Sequence, residues 1–149
     1  MTTRQQKLWT VALVATASLF LTTCRKDISV PNPDLEKLFG TWDWVGTYCG
    51  WSGASSPATV GYSQTVEFNK NGIYKMYHDG KQTDKRKFTL TEGSSIYTSG
   101  TAYLINYKDT KLFKKKNYTT QSVTFAGQDT LFLNDEAYDG CGDTYVKHK

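Results

Sequence analysis

The chain has 149 residues, with 18 Lys and Arg against 14 Asp and Glu, a formal charge of +4, 14% aromatics and only 3 Pro and 12 Gly. That balance is too apolar and too weakly charged for a disordered chain, and the length suits one compact domain rather than two. Arg4 and Lys7 fall in a leader expected to be removed, which leaves about +2 and takes most of the support from a nucleic-acid-binding reading.

Residues 1–23 differ in composition from the rest. Arg4 and Lys7 precede an apolar run, residues 8–21, with no acidic or basic side chain, which is the profile of an export signal. At about 14 residues, roughly 21 Å as a helix, the run falls short of the about 20 residues that a bilayer span needs. Leu21, Thr22, Thr23 and Cys24 come next. They resemble the lipobox of bacterial lipoproteins, in which a Leu and two small residues precede the Cys that is acylated and becomes the mature N-terminus. Thr23 stands where Gly or Ala is commoner. The resemblance implies a signal peptide over 1–23, lipidation of Cys24 with palmitate-class acyl chains, and attachment to a membrane by lipid rather than by a helix. An ordinary signal peptide cleaved nearby and an uncleaved anchor are the competing readings. Arg25 occupies the place of the acidic residue that retains many such lipoproteins at the inner membrane. The envelope address implied is therefore the outer membrane, on its periplasmic or surface face.

Residues 24–34 are polar, include Pro31 and Pro33, and read as a tether to a domain over 35–149. Asn32 as N-cap, Pro33 at the first helical position, early Asp34 and terminating Gly40 predict one short helical turn. After Gly40 the apolar period becomes two. Trp42, Trp44 and Tyr48 share a face of 41–49, and Val66 and Phe68 share one before the Asn71-Gly72 turn signal. Residues 73–78 and 84–91 flank Asp79-Gly80, with Phe88 and Leu90 alternating against polar neighbours. Residues 101–107 set Ala102 and Leu104 against Tyr103, Ile105 and Tyr107. Val123 and Phe125, Leu131 and Leu133, and finally 144–148 complete eight candidate strands. Strands this regularly spaced predict an all-β barrel or sandwich. Residues 50–61, rich in Gly and Ser, predict a loop between the first two strands, long enough for function to reside there.

With Cys24 assigned to lipid, Cys49 and Cys141 remain, and in an oxidising compartment they are expected to pair. If the first and last strands are antiparallel neighbours and Cys49 faces Cys141, paired numbers sum to 190 across the seam. Asp43 then meets Lys147, Val45 meets Tyr145, Trp44 meets Val146 and Trp42 meets His148. This register puts Trp42, Trp44 and Val146 on one face and the cysteines on the outer face, unless a bulge intervenes.

Gly40-Thr41-Trp42, opening the first strand after a helical turn, resembles the Gly-x-Trp signature of lipocalins, and residues 131–149 look like the end of bacterial lipocalin-like lipoproteins. The resemblance implies an eight-stranded up-and-down barrel with Trp42 across its closed end and a basic partner, Lys147 or Lys149, over the ring. It also implies, by analogy alone, a small apolar ligand. Trp51, on the loop expected over the open end, reads either as a ligand contact or as a rim plug. Tyr62, Tyr74 and Tyr103, with Tyr77 and Tyr107, read either as cavity hydroxyls or as packed surface residues.

Catalysis has little to work with. His78 and His148 are the only imidazoles and no nucleophile signature is present, so no enzyme, cofactor or metal site is expected. Asp139 and Asp143 bracket Gly140-Cys141-Gly142 but match no calcium loop. Lys108, Lys111, Lys114, Lys115 and Lys116 read as a solvated loop or a patch for anionic surfaces. Two functions remain in view. One is carriage of a small apolar ligand in the barrel; the other is an envelope interaction protein with a filled barrel, binding a macromolecule through its rim loop or Lys-rich segment.

Overall fold

The computed structural model describes residues 27–108 and 120–149; the leader with Cys24, and Lys111, Lys114, Lys115 and Lys116, lie outside the described residues. Asn32 accepts the Asp34 N–H at 2.8 Å and Pro33 opens a 3-10 helix, Pro33–Leu38, that buries Leu35 and Leu38 completely. Among the described residues nine strands come after it: β1 (Gly40–Cys49), β2 (Gly53–Ser55), β3 (Gln64–Asn69), β4 (Ile73–His78), β5 (Lys81–Ser95), β6 (Thr98–Lys108), β7 (Thr120–Ala126), β8 (Thr130–Asp135) and β9 (Cys141–Lys147). β1 and β3 to β9 pair antiparallel in chain order, and β9 returns to β1. The result is the eight-stranded up-and-down barrel, with all eight expected strands present.

Period-two burial drives the closure. Val66, Phe68, Phe88, Leu90, Ile105, Val123, Leu131 and Leu133 point inward and are buried, and each alternates with more exposed neighbours. At the Asp79-Gly80 turn both residues have positive φ, 47° and 74°, the backbone a two-residue hairpin requires. The 3-10 helix, Trp42, Phe68 and Phe88 fill the end of the barrel where β1 begins. Ile28 and Val30 pack against the same core, and the Ile28 N–H donates to Lys70 O at 2.8 Å.

The β1–β9 seam and the segment after β1 depart from expectation. The β1–β9 seam keeps the expected offset only from Gly46↔Thr144 to Cys49↔Cys141. Val45 is bulged out, so below it Trp44 meets Tyr145, Asp43 meets Val146 and Trp42 meets Lys147. The extra residue turns every later β1 side chain to the opposite face. Tyr145 rather than Val146 is therefore the inward partner of the tryptophans, and Tyr48 is 68% exposed on the outside. Cys49 and Cys141, which do form a disulfide, lie on the inward side with Thr47 and Asp143. Asp43 takes His148 Nδ1 at 2.8 Å in place of Lys147.

The segment over 50–61 is also not a plain loop. β2 folds back on the edge of β1 that β3 leaves free, and a helical turn, α1 (Pro57–Val60), comes after it.

Candidate functional site: a polar cavity in the barrel

Towards the end of the barrel where β1 stops, the inward positions become polar on strand after strand. On β5 the series Leu90, Phe88 continues as Arg86 and Asp84. On β8 Leu131 and Leu133 continue as Asp135, on β7 Val123 continues as Gln121, and on β9 Tyr145 continues as Asp143. These residues, with Tyr74 and Met76 of β4 and Tyr107 of β6, line a half-open cavity of about 300 Å³. The cavity expected to suit an apolar molecule is thus walled largely by charges and hydroxyls, because the period-two rule fixes which residues face inward and not whether they are apolar.

Two hydrogen-bonded relays organise the wall. Trp44 Nε1–H donates to Thr47 Oγ1 at 2.9 Å, and the Thr47 hydroxyl donates to Asp143. Opposite, the Tyr107 hydroxyl donates to Gln121 Oε1 at 3.0 Å and Gln121 Nε2 donates to Asp135 Oδ1 at 3.0 Å. Asp135 Oδ2 also accepts the Cys141 N–H at 3.1 Å, which ties the carboxylate to the disulfide. Arg86 Nε pairs with Asp84 at 2.6 Å, and its guanidinium lies 5.9 Å from the Tyr107 ring centroid.

Burial pushes the Asp143 carboxyl above the usual Asp range, the Thr47 hydrogen bond opposes this, and the Asp135 charge adds to it. Burial likewise raises the hydroxyls of Tyr74, Tyr107 and Tyr145, so they stay neutral around physiological pH. An acid with a higher pKa folded than unfolded binds more protons in the folded state, so its contribution to stability falls as pH rises through that interval. Asp143 therefore opposes folding at neutral pH. The variant Asp143→Asn is expected to melt above the parent at pH 7, with the gap closing below about pH 4, where Asp is protonated folded or unfolded. Thermal melts from about pH 3 to 8 read this, and an equal gap across that range would count against it.

Of the residues singled out from the sequence, Tyr74 lines the cavity; Tyr62, Tyr103 and Trp51 do not. Tyr62 stacks on His78 at 4.3 Å and lies 6.4 Å from Trp44, while Tyr103 packs into the core beside Ile105. Trp51 is 92% exposed, because β2 draws the loop back along β1 and leaves the indole at a hairpin tip. At the closed end Lys147 Nζ lies 4.2 Å from the Trp42 ring centroid and donates to Phe39 O at 2.8 Å and Lys37 O at 3.2 Å.

Sequence reasoning missed Asp84, Arg86, Gln121, Asp135 and Tyr145. The signal that would have found the first two is the inward parity of Phe88 and Leu90, extended four residues towards the turn. Among the described residues no cluster of His, Cys, Asp and Glu could hold a metal ion, and no helix is long and apolar enough to cross a membrane. No protein-family model, curated protein or solved structure matches this chain.

Proposed function

We propose that this chain is a non-enzymatic envelope protein, anchored by lipid at Cys24, most consistent with the outer membrane, that holds one small ligand in its barrel. The observation that carries the reading is the 300 Å³ cavity, at the small end of the about 300–1,000 Å³ range of ligand sites. A barrel built only for rigidity fills its interior with side chains, as this one does around Trp42 but not around Asp143. The lipobox and export profile of residues 1–24 support the anchor, and the closed barrel supports carriage as the lipocalin resemblance implies it. The polar wall replaces the apolar ligand first expected with one that carries hydrogen-bonding groups.

A second reading, docking of a macromolecule, is favoured by Trp51 and Tyr138, 92% and 88% exposed. They stand on two connections that the Cys49–Cys141 bridge holds side by side.

Native mass spectrometry of the full chain, purified in a mild non-ionic detergent, separates the two. Carriage predicts a reproducible added mass that leaves on denaturation. A mature mass beginning at Cys24 with acyl chains reads the anchor in the same spectrum. A bare protein mass, with a melting temperature unmoved by envelope extract, sinks carriage and leaves the docking reading.

A further inference from the structure

The cavity wall constrains the charge of a carried ligand, and assigning that charge rests on the carriage reading. Among the described residues three carboxylates, Asp84, Asp135 and Asp143, line the cavity with one guanidinium, and no Lys or His does. Arg86 is taken up by Asp84 at 2.6 Å. Asp135 is held by the neutral N–H donors of Gln121 and Cys141, and Asp143 by the Thr47 hydroxyl. Two carboxylates in a half-open cavity, Asp143 the more buried of them, thus have no cationic partner among the described residues. Buried charges are ordinarily paired, so this arrangement is stable only at a cost unless something else supplies the charge.

A second observation points the same way. Tyr74 is only 6% exposed and lines the cavity; no hydrogen bond to its hydroxyl is present among the described residues, and the oxygen is not one of the fully buried polar atoms, so it opens on the cavity. The hydroxyl of a buried Tyr side chain normally finds a partner, and here the direction left open to it is the cavity. It lies within electrostatic range of Asp84 and Asp143. The Tyr74 and Tyr107 rings meet edge to face at 5.3 Å, and with Met76 and Leu133 they add an apolar, π-rich surface to the acidic one.

We infer that the ligand is a small primary organic ammonium ion, an arylalkyl or alkyl amine. The three N–H donors of such a group match three acceptors the wall offers: Asp143, Asp135 and the Tyr74 hydroxyl oxygen. Its hydrocarbon part lies against the tyrosine faces, which attract a cation through their quadrupoles. The cavity volume, at the small end of ligand sites, suits a small amine rather than a drug-sized one. An anionic ligand would have to displace Asp84 from Arg86 and face two unpaired carboxylates.

The test is calorimetric titration of the full chain in non-ionic detergent with three probes of closely similar size: 2-phenylethylammonium, 2-phenylethanol and phenylacetate. The ammonium is expected to bind one to one, the alcohol at least about tenfold more weakly, and the carboxylate not at all. Asp143→Asn is expected to weaken the ammonium about ten- to a hundredfold and to leave the alcohol unchanged. Asp135→Asn is the second variant, used if the first does not melt cooperatively. Alcohol or carboxylate binding as tight as the ammonium, an unchanged ammonium affinity in both variants, or binding of none of the three overturns the inference. Carriage itself stands or falls separately, on the probe-free native mass.

Discussion

Trp42→Ala is expected to lower the unfolding free energy by about 3–5 kcal/mol, the usual cost of removing a large aromatic from a packed core. The indole is fully buried, its Nε1–H donates to Leu38 O at 2.8 Å, and its ring lies 6.2 Å from Phe125. Three further groups depend on it. The 3-10 helix is fixed to the barrel end through that carbonyl. Leu35 and Leu38 pack against the core that Trp42 closes. Lys147 keeps its ammonium over the ring, where burial holds its pKa below the usual lysine range. Without the ring that charge keeps two carbonyl acceptors and loses its π face, so the variant combines a void with a less well compensated charge. Trp42→Phe preserves most of the volume and face but orphans Leu38 O, and is expected to cost about 1–3 kcal/mol. Urea unfolding followed by circular dichroism reads both. A loss below about 1 kcal/mol for Trp42→Ala would show that the closed end contributes little to stability.

The same corner gives the Gly-x-Trp spacing a physical reason. Gly40 has φ +119°, and a Cβ there would sit 3.0 Å from Lys147 Nζ, so the residue must accept an unusual backbone and leave room for the ammonium. The closed end was legible in the sequence because its residues are large, apolar and evenly spaced. The hairpins were legible for a similar local reason, since Asp79-Gly80 and Asn71-Gly72 carry their turn chemistry in two adjacent residues.

The site was hidden for the opposite reason. Arg86 and Asp84 occupy inward positions, yet in sequence they sit beside Lys85 and Lys87 as a solvated charge run. Alternation is invisible when both faces are polar. The bulge at Val45 had only a weak signal, Gly46 inside the strand pattern, which does not fix where the parity changes. It involves no Pro and no turn dipeptide, and Trp42, Trp44 and Tyr48 by themselves describe an unbroken face. Only the pairing of Asp143 with Thr47 and of Tyr145 with Trp44 reveals that the parity changed.

Removing the Cys49–Cys141 bridge, in the double variant Cys49→Ser/Cys141→Ser, is expected to cost about 4–5 kcal/mol, because it frees a loop closed over a sequence separation of 92. The loss should not spread evenly. Below Val45 the β1–β9 seam is held by Trp42, Trp44 and Tyr145, which are buried whether or not the bridge exists. Above it, Gly46 to Cys49 face Thr144 to Cys141, a stretch short of apolar side chains whose register differs from the lower half by one residue. That upper stretch is also where Thr47 reaches Asp143 and where the Cys141 N–H reaches Asp135. Hydrogen exchange of the double variant should therefore lose protection over 46–49 and 141–144 while keeping it at 41–44 and 145–147. On the carriage reading, ligand affinity should fall with the upper half, since the Thr47–Asp143 relay passes through it and Asp135 takes the Cys141 N–H there. Equal loss of protection along the whole seam would mean that the barrel opens as one unit and that the bulge does not divide it. Retained affinity in a variant that has lost upper-seam protection would place the ligand away from Asp143. The bridge thus does more than shorten the unfolded chain: it holds the shifted half of the seam, whose side chains present the charges of the cavity.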